Sequence, residues 1–130
     1  WHPSKIFMGD VGSTFLASIF LGFLSISNSL KFSLDYLLIC SPLLIDAFIC
    51  VLRRFYARQN IFSPHKEHLY QRLNKAGWRQ SKISFIYILG SLLIALSAYY
   101  GNLKITFSVF VLEIMMGYIL DKYYAVKFLN

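Results

Sequence analysis

The chain has 130 residues, of which 57% are hydrophobic, 18% aromatic and only 15% charged. Charged residues make up about 25% of an average soluble domain, and so short a soluble chain would leave much of this apolar surface facing water. Few charges and many aromatic residues also exclude disordered and coiled-coil proteins. The composition therefore predicts an all-α, polytopic membrane protein.

Four apolar runs follow one another along the chain. The first run has twenty residues without a charge, which matches the ~30 Å thickness of a hydrocarbon core. The second ends abruptly at Arg53 and Arg54, and Gly101-Asn102 separates the third from the fourth. We expect one transmembrane region over residues 1–130, with spans at about 11–30, 34–52, 83–101 and 104–121 and a loop at 53–82.

The basic residues are distributed unevenly across these spans. The formal net charge is +7, and the 53–82 loop holds eight of the thirteen Lys and Arg residues against one acid, Glu67. The positive-inside rule places this loop in the cytoplasm together with both ends of the chain. Under that topology only Lys31 and Lys104 lie outside. This pattern is typical of membrane topology, and no nucleic-acid partner is expected.

The start of the chain and its cysteines carry further expectations. The first residue is Trp1, with no initiator Met and no secretory leader, so we expect a portion of a longer protein. Cys40 and Cys50 are ten residues apart. On one helix that spacing is roughly 15 Å, which excludes a disulfide between them.

The first polar motif is Met8-Gly9-Asp10-Val11-Gly12-Ser13, where the first span begins. Glycines permit close approach of a ligand, and amides at a helix N-terminus favour phosphate. Asp10 could hold Mg²⁺ together with substrate phosphates. In the structural alternative, Asp10 or Ser13 only caps the helix.

The second motif lies in the basic loop and runs from Ser63-Pro64 to Leu73. If Ser63-Pro64 starts a helix, then His65, His68 and Arg72 share one face. Two imidazoles and a guanidinium suit an anion such as a diphosphate. A solvated amphipathic helix is the alternative, while the spacing does not favour zinc.

Two further acids lie inside the apolar runs. Asp46 is close to the cytoplasmic end of the second span, where it either faces a polar cavity or pairs with Arg53 or Arg54. Glu113 is deeper in the last span and has no evident basic partner, which suggests a hydrogen bond between helices or a protonated acid.

The ordered motifs Pro3 to Ser13, Pro42-Leu43-Leu44-Ile45-Asp46-Ala47 with Arg53-Arg54, and Ser63 to Leu73 resemble the C-terminal third of one family. That family is the polyprenyl-phosphate N-acetylhexosamine-1-phosphate transferases, which start O-antigen, teichoic acid and other cell-envelope glycans in bacteria. The resemblance rests on motifs over residues 1 to about 80, and on hydropathy alone over the last two spans.

The resemblance implies an enzyme of the bacterial inner membrane with a cytoplasmic active face. A polyprenyl phosphate, such as undecaprenyl phosphate, would attack a UDP-N-acetyl sugar and release UMP. Asp10 would bind Mg²⁺, or Mn²⁺ in its place, His65 and His68 would contact the substrate, and Arg72 would follow them. Gly9, Gly12 and Ser13 would help to bind the phosphates, Asp46 would support the site, and a homodimer is a further candidate assembly.

Two readings of another class remain open at the level of sequence. The family's paired aspartates and uridine loop are absent from this chain, which favours an inactive remnant or a non-catalytic membrane module. The acids inside the spans, Asp46 and Glu113, favour a small transporter or channel subunit, although the chain lacks an inverted repeat.

Overall fold

The computed structural model describes residues 9–26, 29–61, 63 and 66–128. In these ranges the chain is helical and contains no strand, which confirms the all-α prediction. The helices are α1 (Gly9–Ile26), α2 (Leu30–Ile39), α3 (Ser41–Tyr56), α4 (Leu69–Lys75), α5 (Gln80–Tyr100) and α6 (Leu103–Tyr123).

Two of these helices, α5 and α6, are long and apolar enough to cross a membrane. A third span is present if α2 and α3 together count as one bent span, and α1 is apolar but shorter. The protein is therefore a helical membrane protein. Its described residues contain two or three spanning helices by length and composition, where the hydropathy of the sequence predicts four.

The second expected span, 34–52, is bent in the structure. The chain bends by 70° between α2 and α3. Pro42 lies in the first turn of α3, and in a continuous helix its ring would collide with the carbonyl group of Leu38. The first span also ends earlier than expected, because α1 ends at Ile26 and Leu30 begins α2.

The helices α5 and α6 form a hairpin that organises the rest of the fold. The side chain of Asn102 accepts a hydrogen bond from the Ile105 amide at 3.2 Å, which is a typical N-cap for α6. Helices α2, α3 and α4 all pack against α5. The buried Gly90 of α5 faces Pro42 of α3 and Glu113 of α6, so three helices meet where α5 has no side chain.

The loop before α4 is held by a buried arginine instead of forming a helix at Ser63. The Arg54 guanidinium donates to the carbonyl oxygens of Asn60, at 2.5 Å, and Ser63, at 3.0 Å. It also donates to the Ser63 hydroxyl at 2.6 Å. The expected helix start at Ser63-Pro64 is therefore wrong, and α4 begins at Leu69.

Helix α4 ends in a turn that needs a glycine. Gly77 has a φ of 92°, in the left-handed region that a side chain disfavours. The Gly77 amide donates to the carbonyl of Asn74 and the Trp78 amide to that of Leu73, which is the Schellman pattern. This turn directs the chain from α4 into α5.

Candidate functional site

The first polar motif lies at the beginning of α1. Gly9, Asp10, Gly12 and Ser13 all have helical backbone, and the Asp10 side chain lies outside the described part of the chain. Asp10 follows helical Gly9 and Ser13 is the fifth residue described in α1, so neither is the N-cap that the structural alternative proposed. Helix α1 packs against α2, and the role of this motif stays a prediction.

The histidine motif is only partly described. His65 lies outside the described residues, whereas His68 is the N-cap residue of α4. The His68 amide donates to Oε1 of Gln71 at 3.3 Å. Its imidazole stacks on the Tyr70 ring with centroids 5.6 Å apart. The shared helical face expected for His65, His68 and Arg72 does not form as such, because the helix begins after His68.

Asp46 binds the start of α4 instead of the arginines near it. Its Oδ1 accepts a hydrogen bond from the Leu69 amide at 2.7 Å, and its Oδ2 accepts one from the Tyr87 hydroxyl at 3.1 Å. Nδ1 of His68 lies 4.0 Å from Oδ2. The alternative expectation of a pair with Arg53 or Arg54 is therefore wrong. Asp46 thus lies next to His68 of the histidine motif, and its supporting role stays a prediction.

Arg72 forms a buried cluster with groups that the sequence analysis did not single out. Its Nη1 donates to Oδ1 of Asp121 at 2.5 Å, and its Nε donates to the Val126 carbonyl at 2.7 Å. Arg53 donates to both oxygens of the same carboxylate, at 3.1 and 2.5 Å. Both guanidinium groups lie within 5.7 Å of the Phe128 ring centroid. The predicted contact of Arg72 with a diphosphate stays a prediction, since in this structure its guanidinium binds Asp121 and Val126.

Sequence analysis thus missed Asp121 and Tyr87. Asp121 did carry a signal, because it is an acid at the end of the last span in a chain with thirteen basic residues and six acids. Nothing in the sequence distinguishes Tyr87 from the other eight tyrosines. Its role depends on the packing of α5 against α3, which is a tertiary contact.

A cavity of about 210 Å³ connects these clusters. It lies between α3, α5 and α6, and its apolar wall includes Ile45, Ile49, Ile86 and Ile114. The same cavity is lined by Asp46, Tyr87, Arg53, Arg72, Asp121 and Glu113. Both carboxyl oxygens of Glu113 are buried, and neither has a hydrogen-bond partner within the described part of the chain.

The described residues contain no group of three or more His, Cys, Asp or Glu side chains arranged to hold a metal ion. Mg²⁺ in phosphate-transfer sites is held by one or two carboxylates together with substrate phosphates. An ion bound in that way does not need a cluster of this kind. The binding of Mg²⁺ by Asp10 stays a prediction.

The chain was compared with family models, solved structures and curated proteins. No family model matches it, and no solved structure matches it significantly. A probable undecaprenyl-phosphate N-acetylglucosaminyl 1-phosphate transferase of Bacillus subtilis is 30% identical over 123 residues, which cover 89% of this chain and 34% of the relative.

Two further relatives come from other bacteria. A decaprenyl-phosphate N-acetylglucosaminephosphotransferase of Mycobacterium tuberculosis is 31% identical over 114 residues, 75% of this chain and 28% of the relative. A phospho-N-acetylmuramoyl-pentapeptide-transferase of Brachyspira hyodysenteriae is 31% identical over 94 residues, 68% of this chain and 23% of the relative.

The helical membrane fold of the chain and the names of its relatives together place it in the class of helical membrane transferases. Within that class the chain belongs to the polyprenyl-phosphate N-acetylhexosamine-1-phosphate transferases, which confirms the resemblance seen in its motifs. The chain spans about a third or less of the length of the curated relatives it matches.

Proposed function

We propose that the protein transfers an N-acetylated sugar 1-phosphate from a UDP-sugar to a polyprenyl phosphate, with release of UMP, at the cytoplasmic face of the bacterial inner membrane. The product would start a cell-envelope polysaccharide of the O-antigen kind. Mg²⁺, or Mn²⁺ in its place, would be bound at Asp10.

The observation that carries this proposal is the similarity to three relatives whose names differ in sugar and in lipid. All three are named as transferases of phosphorylated N-acetyl sugars, and two of the names specify a polyprenyl phosphate. A reaction shared by such different relatives is the part of their function that this chain is expected to retain.

The geometry around α4 is compatible with this chemistry. Phosphoryl transfer requires positioning and charge neutralisation more than covalent catalysis. His68 is held at the start of α4, within the basic stretch 53–82. When bound, Mg²⁺ would neutralise charge on the phosphates. His68, together with His65 three residues earlier in the sequence, would orient those phosphates through hydrogen bonds.

The test is transfer of radiolabelled N-acetylglucosamine 1-phosphate from UDP-N-acetylglucosamine to undecaprenyl phosphate in membranes that contain the protein. Asp10→Asn should nearly abolish transfer at saturating Mg²⁺, because the amide keeps the size of the side chain but loses the charge that binds the metal. Full activity of Asp10→Asn would refute the assignment of Mg²⁺ to Asp10.

His65→Ala and His68→Ala separate phosphate binding from the other readings of the loop. Each change should lower kcat/KM about tenfold to a hundredfold, since a hydrogen bond to a charged group contributes roughly 1.5 to 3 kcal/mol. Asp35→Asn, in α2, is the matched control for Asp10→Asn and should keep full activity. Stoichiometric zinc that both histidine changes remove would refute phosphate binding, and unchanged activity in both would make the loop a solvated surface.

A further inference from the structure

We infer that Asp46 and Tyr87 position His68, so that a buried carboxylate on α3 and a hydroxyl on α5 determine where this imidazole meets the substrate. The inference rests on the proposed function for the substrate contact of His68. The positioning itself rests on the geometry of the three residues.

The carboxylate of Asp46 fixes the beginning of α4. Its Oδ1 accepts the Leu69 amide hydrogen at 2.7 Å, and the Asp46 side chain is only 9% exposed. The first amides of a helix have no partner within the helix, and a negative charge at this end also interacts favourably with the helix dipole. Asp46 therefore sets the place of the residue directly before Leu69, which is His68.

Tyr87 fixes the other oxygen of the same carboxylate. Its hydroxyl donates to Oδ2 at 3.1 Å from α5, so one side chain bridges α3, α4 and α5. With both oxygens held from different helices, the carboxylate has a defined direction. Oδ2 faces Nδ1 of His68 at 4.0 Å, a distance suited to an ion pair with an imidazolium and too long for a direct hydrogen bond.

The neighbouring arginines, Arg53 and Arg54, do not bind the Asp46 carboxylate. Arg53 binds Asp121, and Arg54 binds the loop at Asn60 and Ser63. Both hydrogen-bond partners of Asp46, the Leu69 amide and the Tyr87 hydroxyl, are neutral. Among the described residues, the His68 imidazole is the basic group within 4.0 Å of this carboxylate.

A double-mutant cycle distinguishes positioning from general structural support. In the membrane-embedded protein, Asp46→Asn should lower kcat/KM by no more than the tenfold to hundredfold expected, at about 1.5 to 3 kcal/mol, for loss of the His68 hydrogen bond itself. In a His68→Ala background the same change should have almost no further effect, because Asp46 acts through His68. Losses that simply multiply would overturn the inference.

Tyr87→Phe provides a second variant in case Asp46→Asn fails to fold. It removes only the hydroxyl that holds Oδ2, and it should reduce kcat/KM severalfold with normal amounts of folded protein. Tyr99→Phe on the same helix is the matched control, since Tyr99 is largely exposed, and it should be silent. Equal activity of the two phenylalanine variants would contradict a role for Tyr87.

A spectroscopic measurement keeps this inference separate from the proposed function. In protein labelled with ¹⁵N-histidine, Asp46→Asn should shift the imidazole nitrogen signals of His68. If the unsubstituted protein shows no transfer, the proposed function fails while this shift still decides the positioning. Unmoved His68 signals would overturn the positioning whatever the activity.

Discussion

At the scale of single residues, the described acidic side chains differ in the groups they bind. The chain has thirteen Lys and Arg residues and six Asp and Glu residues. Asp121 accepts hydrogen bonds from two arginines, whereas Asp46 accepts hydrogen bonds from a backbone amide and a tyrosine hydroxyl. Glu67 lies 3.6 Å from Lys75. Within the described residues, Glu113 is the one acid whose two carboxyl oxygens are both buried without a hydrogen-bond partner.

Asp121→Asn tests the largest of these ionic clusters. The change leaves Arg72, whose side chain is 4% exposed, without its counter-charge. Removing one partner of a buried pair costs about 3 kcal/mol or more. We expect a clear fall in thermal stability of the purified protein, measured by intrinsic fluorescence in detergent.

Glu67→Gln is the matched control for that change. The Lys75 partner of Glu67 is 42% exposed, and such a pair contributes under about 1 kcal/mol. Equal losses of stability in Asp121→Asn and Glu67→Gln would show that the cluster around Arg72 has no special weight.

Glu113→Met should have the opposite effect on stability. Methionine has a similar volume, and it removes two carboxyl oxygens that are buried without partners. Leaving such a group unsatisfied costs roughly 1–3 kcal/mol. We expect a higher midpoint in thermal unfolding. A lower midpoint would mean that the carboxyl has a stabilising partner outside the described residues.

At the scale of elements, hydropathy predicted where the long helices lie and missed where one of them bends. The expected spans 83–101 and 104–121 correspond to α5 (Gln80–Tyr100) and α6 (Leu103–Tyr123). Hydropathy averaged over a window of residues reports apolar content, so it does not detect the single proline at the bend between α2 and α3. The bend could have been predicted from Pro42, because an interior proline removes one helical hydrogen bond and collides with the preceding turn.

The candidate site shows the same division between local and tertiary signals. The motifs around Asp10 and His68 could be selected from sequence because their residue types suit phosphate chemistry. The start of α4 at Leu69 could not be predicted from sequence, because the common helix-start signal Ser63-Pro64 indicates an earlier start. Here Ser63 binds Arg54, which comes nine residues earlier in the chain. The contact between Asp46 and Tyr87 joins residues 41 positions apart, and no local pattern announces it.

Pro42→Ala tests the cause of the bend. With the missing amide hydrogen restored, α2 and α3 can continue as one helix, so we expect the pair to straighten. Spin labels at the exposed Leu34 and Leu52 would then move apart by roughly 5 Å, given a rise of 1.5 Å per residue. Double electron–electron resonance measures that distance. An unchanged distance would assign the bend to packing against α5.

At the scale of the whole molecule, charge and apolar surface follow the expectation for a membrane protein. Large apolar side chains are exposed along α1, α5 and α6, for example Val11, Phe85 and Leu112. Such surface suits lipid or further helices. The basic loop between α3 and α5 is polar by contrast, and the turn at Gly101-Asn102 lies at the opposite end of α5.

The predicted orientation can be measured with single cysteines. In a background lacking Cys40 and Cys50, Gln59→Cys should react with an impermeant maleimide only after spheroplasts are opened, because the positive-inside rule places the loop in the cytoplasm. Asn102→Cys, in the exposed turn, is the control and should react in intact spheroplasts. The reverse pattern would invert the topology and separate the motifs from a cytosolic sugar nucleotide.

The junction of Arg72 with Asp121 and Val126 also ties the depth of α6 in the bilayer to the position of α4. A shift of α6 by one residue along its axis is about 1.5 Å with a 100° rotation, which would carry Asp121 away from both guanidinium groups. Helices respond to lipid thickness by tilting or shifting. A thinner or thicker membrane would therefore strain this junction first, and the strain would reach the histidine at the start of α4.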